Sequence, residues 1–275
     1  MNLKNKFAFA SKTDTGRVRD HNEDAIASNE SMAMFVLADG MGGYNAGEVA
    51  SGLAVKTVYD LTTEACTREK CYERHTDTGL MRQTTVLRDA ISRANKIIHQ
   101  TAQSHDGCEG MGTTIVAGIF CDNRLSIAHV GDSRLYRLRD SKLERITRDH
   151  SLLQELVDRG FYSDEEAAQS TNKNYITRAL GAEMTVDVEI QEVQVEMGDI
   201  YLACSDGLSD MVDDEEIHLT LSTFNASLDS VTEHLVKISN QHGGKDNISV
   251  MLVKVLAPFP ANTGLFSLIR KLINC

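Results

Sequence analysis

The stretch 114–140, TIVAGIFCDNRLSIAHVGDSRLYRLRD, decides the fold. It holds three runs rich in Val, Ile and aromatic residues, at 114–121, 125–130 and 135–139. Only a few residues separate one run from the next, too few for a helix, so adjacent strands of an antiparallel sheet are expected rather than strict strand–helix alternation. Working outward, the same β-rich character marks 7–11, 33–38, 186–195, 200–204 and 248–255. Longer runs at 46–61, 83–103, 152–159 and 228–240 carry helical periodicity. Asn45 with Glu48, and Ser163 with Glu166, have the spacing of capping boxes. The expected class is α+β, an antiparallel sandwich covered by helices.

Composition supports a folded body. The chain has 275 residues, 41% hydrophobic and 25% charged, which is ordinary globular usage. Its formal net charge of −12 argues against a nucleic-acid partner. The six cysteines make no CxxC pair and no zinc-type spacing. No run approaches the ~20 apolar residues of a membrane span, and no secretory segment opens the chain. A reducing cytoplasm is the expected setting. Both prolines, Pro258 and Pro260, fall just after the last strand run, so a body of 1–256 and a short tail of 257–275 are expected. In that tail Leu265, Leu268, Ile269 and Leu272 recur at helical spacing beside Arg270 and Lys271. The reading favoured is a helix packed on its own domain, with docking on a partner or membrane surface as the alternative.

The placement of aspartates carries the chemistry. Asp39 ends the run 34–38 and opens Asp39-Gly40-Met41-Gly42-Gly43. Asp132 ends 125–131, Asp206 follows 200–205 and precedes Gly207, and Asp246 lies in Gly243-Gly244-Lys245-Asp246-Asn247 just before 248–255. Any one such site is more often a plain turn. Four acids at strand ends, each with glycine near, point to convergence instead. Two carboxylates ~4 Å apart repel by about 4 kcal/mol at an effective dielectric of 20, so a converged set demands cations. Hard divalent ions, Mg²⁺ or Mn²⁺, suit such oxygen donors. In the segment 17–24, RVRDHNED, Arg19 offers a guanidinium fork for phosphate oxygens, and Asn22, Glu23 and Asp24 offer further oxygen donors. A solvated charged loop is the competing reading of that segment.

Other phosphate chemistries lack their marks. No cysteine has an arginine six residues on, no Asp-x-Asp occurs, and neither GxxxxGK[ST] nor GxSxG is present.

The segments RVRDHNEDA, VLADGMGGYNAGEVAS, GMGTTIVAG, AHVGDSRLYRLRD, CSDGLSDMV and GGKDNISV occur in the order seen in metal-dependent (type 2C) protein phosphatases, and the chain resembles the bacterial members from about residue 8 to 255. The resemblance implies a four-layer α-β-β-α sandwich with a metal centre at one end. It implies that Asp39, Asp206 and Asp246 bind a first Mn²⁺ or Mg²⁺, that Asp39 and the Gly40 carbonyl hold a second, and that Glu23 and Asp24 support it. Asp132 with Asp206 matches a third, weaker site, and Arg19 matches the phosphate-binding arginine. Residues of about 150–179 correspond to the variable flap. The implied reaction is direct attack of a metal-bridging water on phosphoserine or phosphothreonine of a protein, in a monomer that opposes a bacterial serine/threonine kinase. Two departures concern the leaving-group proton. Met41 and Tyr44 stand where some relatives place histidines, which leaves His21 and His150 as spare candidates. A phosphoprotein-binding module without catalysis, and a two-metal hydrolase of small phosphate esters, are the rival readings.

Overall fold

The computed structural model describes residues 3–43, 46–68, 72–163, 166, 175–223 and 227–261. In chain order the elements are β1 (Phe7–Asp14), β2 (Asp24–Asn29), β3 (Met34–Met41), α1 (Ala46–Arg68), α2 (Arg82–Ser104), β4 (Gly112–Thr113), β5 (Ile115–Cys121), β6 (Arg124–Val130), β7 (Arg134–Arg139), β8 (Lys142–Arg145), α3 (Leu152–Asp158), β9 (Glu189–Gln194), β10 (Ile200–Cys204), α4 (Asp206–Ser209), α5 (Asp214–Thr223), α6 (Leu228–Gln241) and β11 (Ile248–Val255).

The strands form two sheets. One runs β1-β11-β10-β7-β8, the other β2-β3-β5-β6-β9 with β4 added on β3. Every strand pair is antiparallel, as the short gaps in 114–140 require.

Alternation along the central strands explains the layers. In β11, Met251, Val253 and Val255 enter the core between the sheets, while Ile248, Val250 and Leu252 face α4, α5 and α6. In β3, Phe35 and Leu37 enter the same central core, and Met34, Val36 and Ala38 meet α1 and α2. Successive strand side chains point to opposite faces, so strands apolar on both faces need cover on both. The result is α-β-β-α, in agreement with the expected architecture. The outer helices supply matching stripes. Leu87, Ile91 and Ile98 of α2 are fully buried, and each such side chain contributes about 1.5–3 kcal/mol relative to exposure.

Several elements differ from the sequence reading. β2 lies outside the expected strands, because Asp-Ala-Ile-Ala-Ser-Asn is poor in β-branched residues; it forms by pairing with β3 along its whole length. α1 runs past residue 61 to Arg68. The capping box at Ser163 and Glu166 forms, with reciprocal bonds of 2.8 and 3.2 Å. Phe259 is buried in the central core, and its N–H donates to Asn123 Oδ1 at 2.7 Å. Residues 262–275, which include the expected tail helix, lie outside the described residues, as do Tyr44 and Asn45. Cys108, Cys121 and Cys204 are free thiols, whereas Cys66 is disulfide-bonded. No helix among the described residues is long and apolar enough to cross a membrane.

Candidate active site

The acids named from the sequence meet at one end of the sandwich, where β2, β3, β6, β10 and β11 begin or end. Asp24 and Asp39 are direct partners across the β2–β3 pair. Like charges so placed are destabilising unless something compensates them. Asp206 follows β10 and opens α4. Asp132 follows β6, and Asp246 precedes β11.

Their ionisation shows the crowding. Burial pushes Asp39 well above the ordinary carboxylate range, and the charges of Asp24, Asp206, Asp132 and Asp246 push it further. Asp206 is raised well above that range by burial and then by Asp132, Asp210 and Asp246. Asp24 rises to about 6 because burial outweighs the hydroxyls of Ser249 and Ser205 that favour its charge. Asp132 rises to about 6 through burial and the nearby Asp149. Asp24 Oδ1 and Asp132 Oδ1 are buried without a hydrogen-bond partner. Buried carboxylate oxygens left this way are costly.

Backbone and hydroxyl groups fix the acids. Thr113 Oγ1 donates to the Asp39 carbonyl at 2.7 Å, and the Asp39 N–H donates to Thr114 Oγ1 at 3.1 Å. Ser205 Oγ donates to Asp24 Oδ2 at 2.9 Å. Gly40 has no room for a side chain, since a Cβ there would lie 2.2 Å from the Gly47 carbonyl and 2.5 Å from that of Glu23. Its N–H donates to the Glu23 carbonyl at 3.2 Å. The Glu23 carboxylate lies against Gly47 in the first turn of α1, where helix-end amides favour an anion. Burial still raises its pKa, against the opposing pull of Arg19.

Arg19 joins the group through Asp246, with Nη2 donating to Oδ2 at 2.6 Å. Both side chains are substantially exposed, at 53% and 35%, so the pair adds little stability and can exchange partners. The loop that carries Arg19 is held by Asn247. Its Nδ2 donates to the carbonyls of Thr15 and His21 at 3.0 and 2.8 Å, and its Oδ1 accepts from the Glu23 N–H at 2.8 Å.

Arg19, Glu23, Asp24, Asp39, Gly40, Asp132, Asp206 and Asp246 are therefore neighbours in space, although up to 227 positions separate them in the chain. Asp210 was missed. It lies one helical turn after Asp206, and that i, i+4 spacing is the signal that could have found it. Asn247 was missed too, because a lone Asn beside Asp246 reads as a turn residue. His150 is buried, with its Nδ1 accepting at 3.1 Å from the N–H of Gly131, the residue before Asp132.

The family model for protein phosphatase 2C matches residues 15–253. The chain belongs to the protein phosphatase 2C family. It is 39% identical over 249 residues to the serine/threonine phosphatase Stp of Listeria welshimeri, covering 88% of this chain and 94% of that one. Among solved structures it is similar to the serine/threonine phosphatase Stp1 from Staphylococcus aureus, with a TM-score of 0.81, 33% identity and coverage of 94% and 98%. It is also similar to the catalytic domain of the phosphatase PstP in complex with 2 manganese ions, with a TM-score of 0.77, 35% identity and coverage of 91% and 99%. Membership of the phosphatase 2C family agrees with the resemblance read from the ordered motifs and with the sandwich architecture.

Proposed function

We propose that this phosphatase 2C family member hydrolyses phosphoserine and phosphothreonine on proteins, with divalent ions held by its clustered acids. The observation that carries the reading is the convergence of Asp24, Asp39, Asp132, Asp206 and Asp246 with Arg19 as the cation that bonds into the group. The donor set fits the ions. It consists of oxygens, two of them buried and unpartnered, and Asp24, Asp39, Asp132 and Asp206 hold raised pKa values that a hard cation would relieve.

In this reading Asp39, Asp206 and Asp246 would hold one Mn²⁺ or Mg²⁺. Asp39 and the Gly40 carbonyl would hold a second, with Glu23 and Asp24 in support. Asp132 and Asp206 would hold a third. Bound there, such ions would supply Lewis acidity and a water of lowered pKa. Arg19 binds and orients the phosphoryl group through its planar fork. The described side chains do not favour a covalent route. Cys204, close to Asp206, is buried and its thiol is pushed up to about 12, so it holds no thiolate at neutral pH. Ser205 is fully buried and its hydroxyl is spent on Asp24. The catalytic unit we assign is 1–256, and the physiological counterpart is the serine/threonine kinase that phosphorylates the same proteins.

The test compares phosphoserine and phosphothreonine peptides with nucleotides and p-nitrophenyl phosphate, with chelator and then with Mn²⁺ or Mg²⁺. Peptide hydrolysis that disappears with chelator, returns with metal and is absent from Asp39→Ala is expected. Full activity in chelator, or in Asp39→Ala, overturns the metal assignment. A preference for nucleotides overturns the substrate class.

A further inference from the structure

His150 lies outside the acid cluster, yet its bonds converge on the segment that carries Asp132. Its backbone N–H donates to the Gly131 carbonyl at 3.0 Å, and the Gly131 N–H donates back to His150 Nδ1 at 3.1 Å. One residue thus engages both backbone polar groups of the glycine before Asp132. Gly131 sits at φ +103°, and a Cβ there would lie 2.7 Å from the Thr114 side chain, so the turn tolerates only glycine. On the other side of Asp132, Ser133 Oγ lies 2.7 Å from Thr114 Oγ1. Arg134 donates to both oxygens of Asp149, the residue before His150, at 2.7 to 3.1 Å.

The Gly131 N–H donates to Nδ1, while Nε2 lies 3.2 Å from both Glu189 Oε2 and Arg178 Nη1. Burial and the adjacent His129 push the His150 pKa down and keep Nδ1 available as an acceptor. His129, His150 and Glu189 bring ligand atoms within 4.8 Å of one another. Arg178 Nη1 lies 3.2 Å from His150 Nε2, however, and its positive charge opposes a cation at that point. The geometry favours a backbone brace over a second metal site. His150 also pairs the two roots of the flap, with its carbonyl accepting from the Thr177 N–H at 2.8 Å.

We propose that His150 is a positioning residue for Asp132, fixing the backbone that aims this acid toward the site it shares with Asp206. The proposal rests on the metal reading of Asp132 given above.

Asparagine and glutamine variants of the full chain separate the two ring nitrogens. His150→Asn keeps an acceptor near the place of Nδ1, whereas His150→Gln reaches toward the place of Nε2. Mn²⁺ binding is followed by the electron paramagnetic resonance of free ion, a readout independent of turnover. His150→Gln and His150→Ala are expected to weaken the weakest Mn²⁺ step by about tenfold, the usual scale for losing an orienting partner. His150→Asn is expected to bind like the wild type. His150→Ala combined with Asp132→Ala is expected to bind no worse than Asp132→Ala alone, because the two act through one group. Wild-type binding by His150→Ala, equal losses in His150→Asn and His150→Gln, or a further loss in the double variant overturns the proposal. Wild-type binding by Asp132→Ala overturns the metal reading of Asp132 and the proposal with it.

Discussion

Strand β10 has an aspartate just beyond each end, and the two have opposite surroundings. Asp199, 1% exposed, precedes the strand. It accepts from Arg139 Nε and Nη2 at 2.7 Å each, from the Glu196 N–H at 2.9 Å and from the Tyr201 hydroxyl at 3.1 Å. Asp206 follows the strand, roughly 20 Å away at the usual rise per residue. Its pKa is raised by desolvation and then by neighbouring acids, Asp132, Asp210 and Asp246. A buried charge that serves the fold is neutralised by the chain's own donors. An acid surrounded by its own sign marks a place where the chain depends on something it does not encode.

The largest expected effect breaks that comparison at the level of activity. Asp206→Asn should lower kcat/KM on a phosphopeptide by about 10³-fold or more, since it removes several kcal/mol of metal-borne stabilisation. Asp199→Asn should stay within about tenfold of wild type, because it lies far from the acid cluster. Steady-state kinetics at saturating Mn²⁺ decides it. Equal losses in the two variants would mean that the division between the ends of β10 is false.

Stability should invert the order. Asp199→Ala leaves the Arg139 guanidinium short of its bidentate partner and should cost about 3 kcal/mol in denaturant unfolding. Asp206→Asn, measured with chelator, should unfold at the same or higher denaturant concentration than the wild type, because it relieves repulsion. A destabilisation of Asp206→Asn as large as that of Asp199→Ala would show that the acid cluster is already compensated within the chain.

The two ends of β10 also differ in how they read from sequence. The bounds of β10 and β11 were legible because strands covered on both faces are unbroken apolar runs, 200–204 and 248–255. Asp206 and Asp39 were legible because an acid followed by glycine closes such a run. Asp199 was not singled out. Its partners, Arg139 and Tyr201, acquire meaning only through the β7–β10 register, in which Tyr201 faces Arg137 and Ile200 faces Leu138. β2 was illegible for a related reason. Its residues have little strand preference, and pairing with β3 overrides them. His150 could be weighed only as a spare acid, since its bond to Gly131 spans 19 positions that no local pattern links.

Arg19 sharpens the comparison at smaller scale. Arg139 is locked onto Asp199 by a fork, whereas Arg19 reaches Asp246 through one nitrogen and remains half exposed. Such a cation is free to turn to an incoming phosphate. Arg19→Ala should therefore cost about 10- to 100-fold in kcat/KM, the worth of one or two charge-assisted hydrogen bonds, with little change in unfolding. Arg19→Lys should recover only part, because an ammonium cannot form the planar pair. Kinetics on phosphopeptide and p-nitrophenyl phosphate together check this, and an Arg19→Ala enzyme with wild-type values on both would remove Arg19 from phosphate binding.

The smallest expected effect concerns pH without metal. Asp24 and Asp132 rise from an ordinary value near 3.8 to about 6 in the folded chain. Below about 4 both folded and unfolded chains hold these protons, and the two groups make no difference. Between about 4 and 6 the folded chain keeps protons that the unfolded chain has released, so their contribution to stability falls as pH rises. Above about 6 both states are ionised and the cost is complete. With chelator present, wild type should therefore lose a few degrees of melting temperature, about 1–2 kcal/mol, between pH 5 and 7.5 relative to Asp132→Asn. Mn²⁺ at pH 7.5 should restore it, because ions and protons compete for the same oxygens. A wild-type slope no steeper than that of Asp132→Asn would mean that the carboxylates already find their compensation in water, and that the acid end of β10 needs a cation for chemistry alone and not for the comfort of its charges.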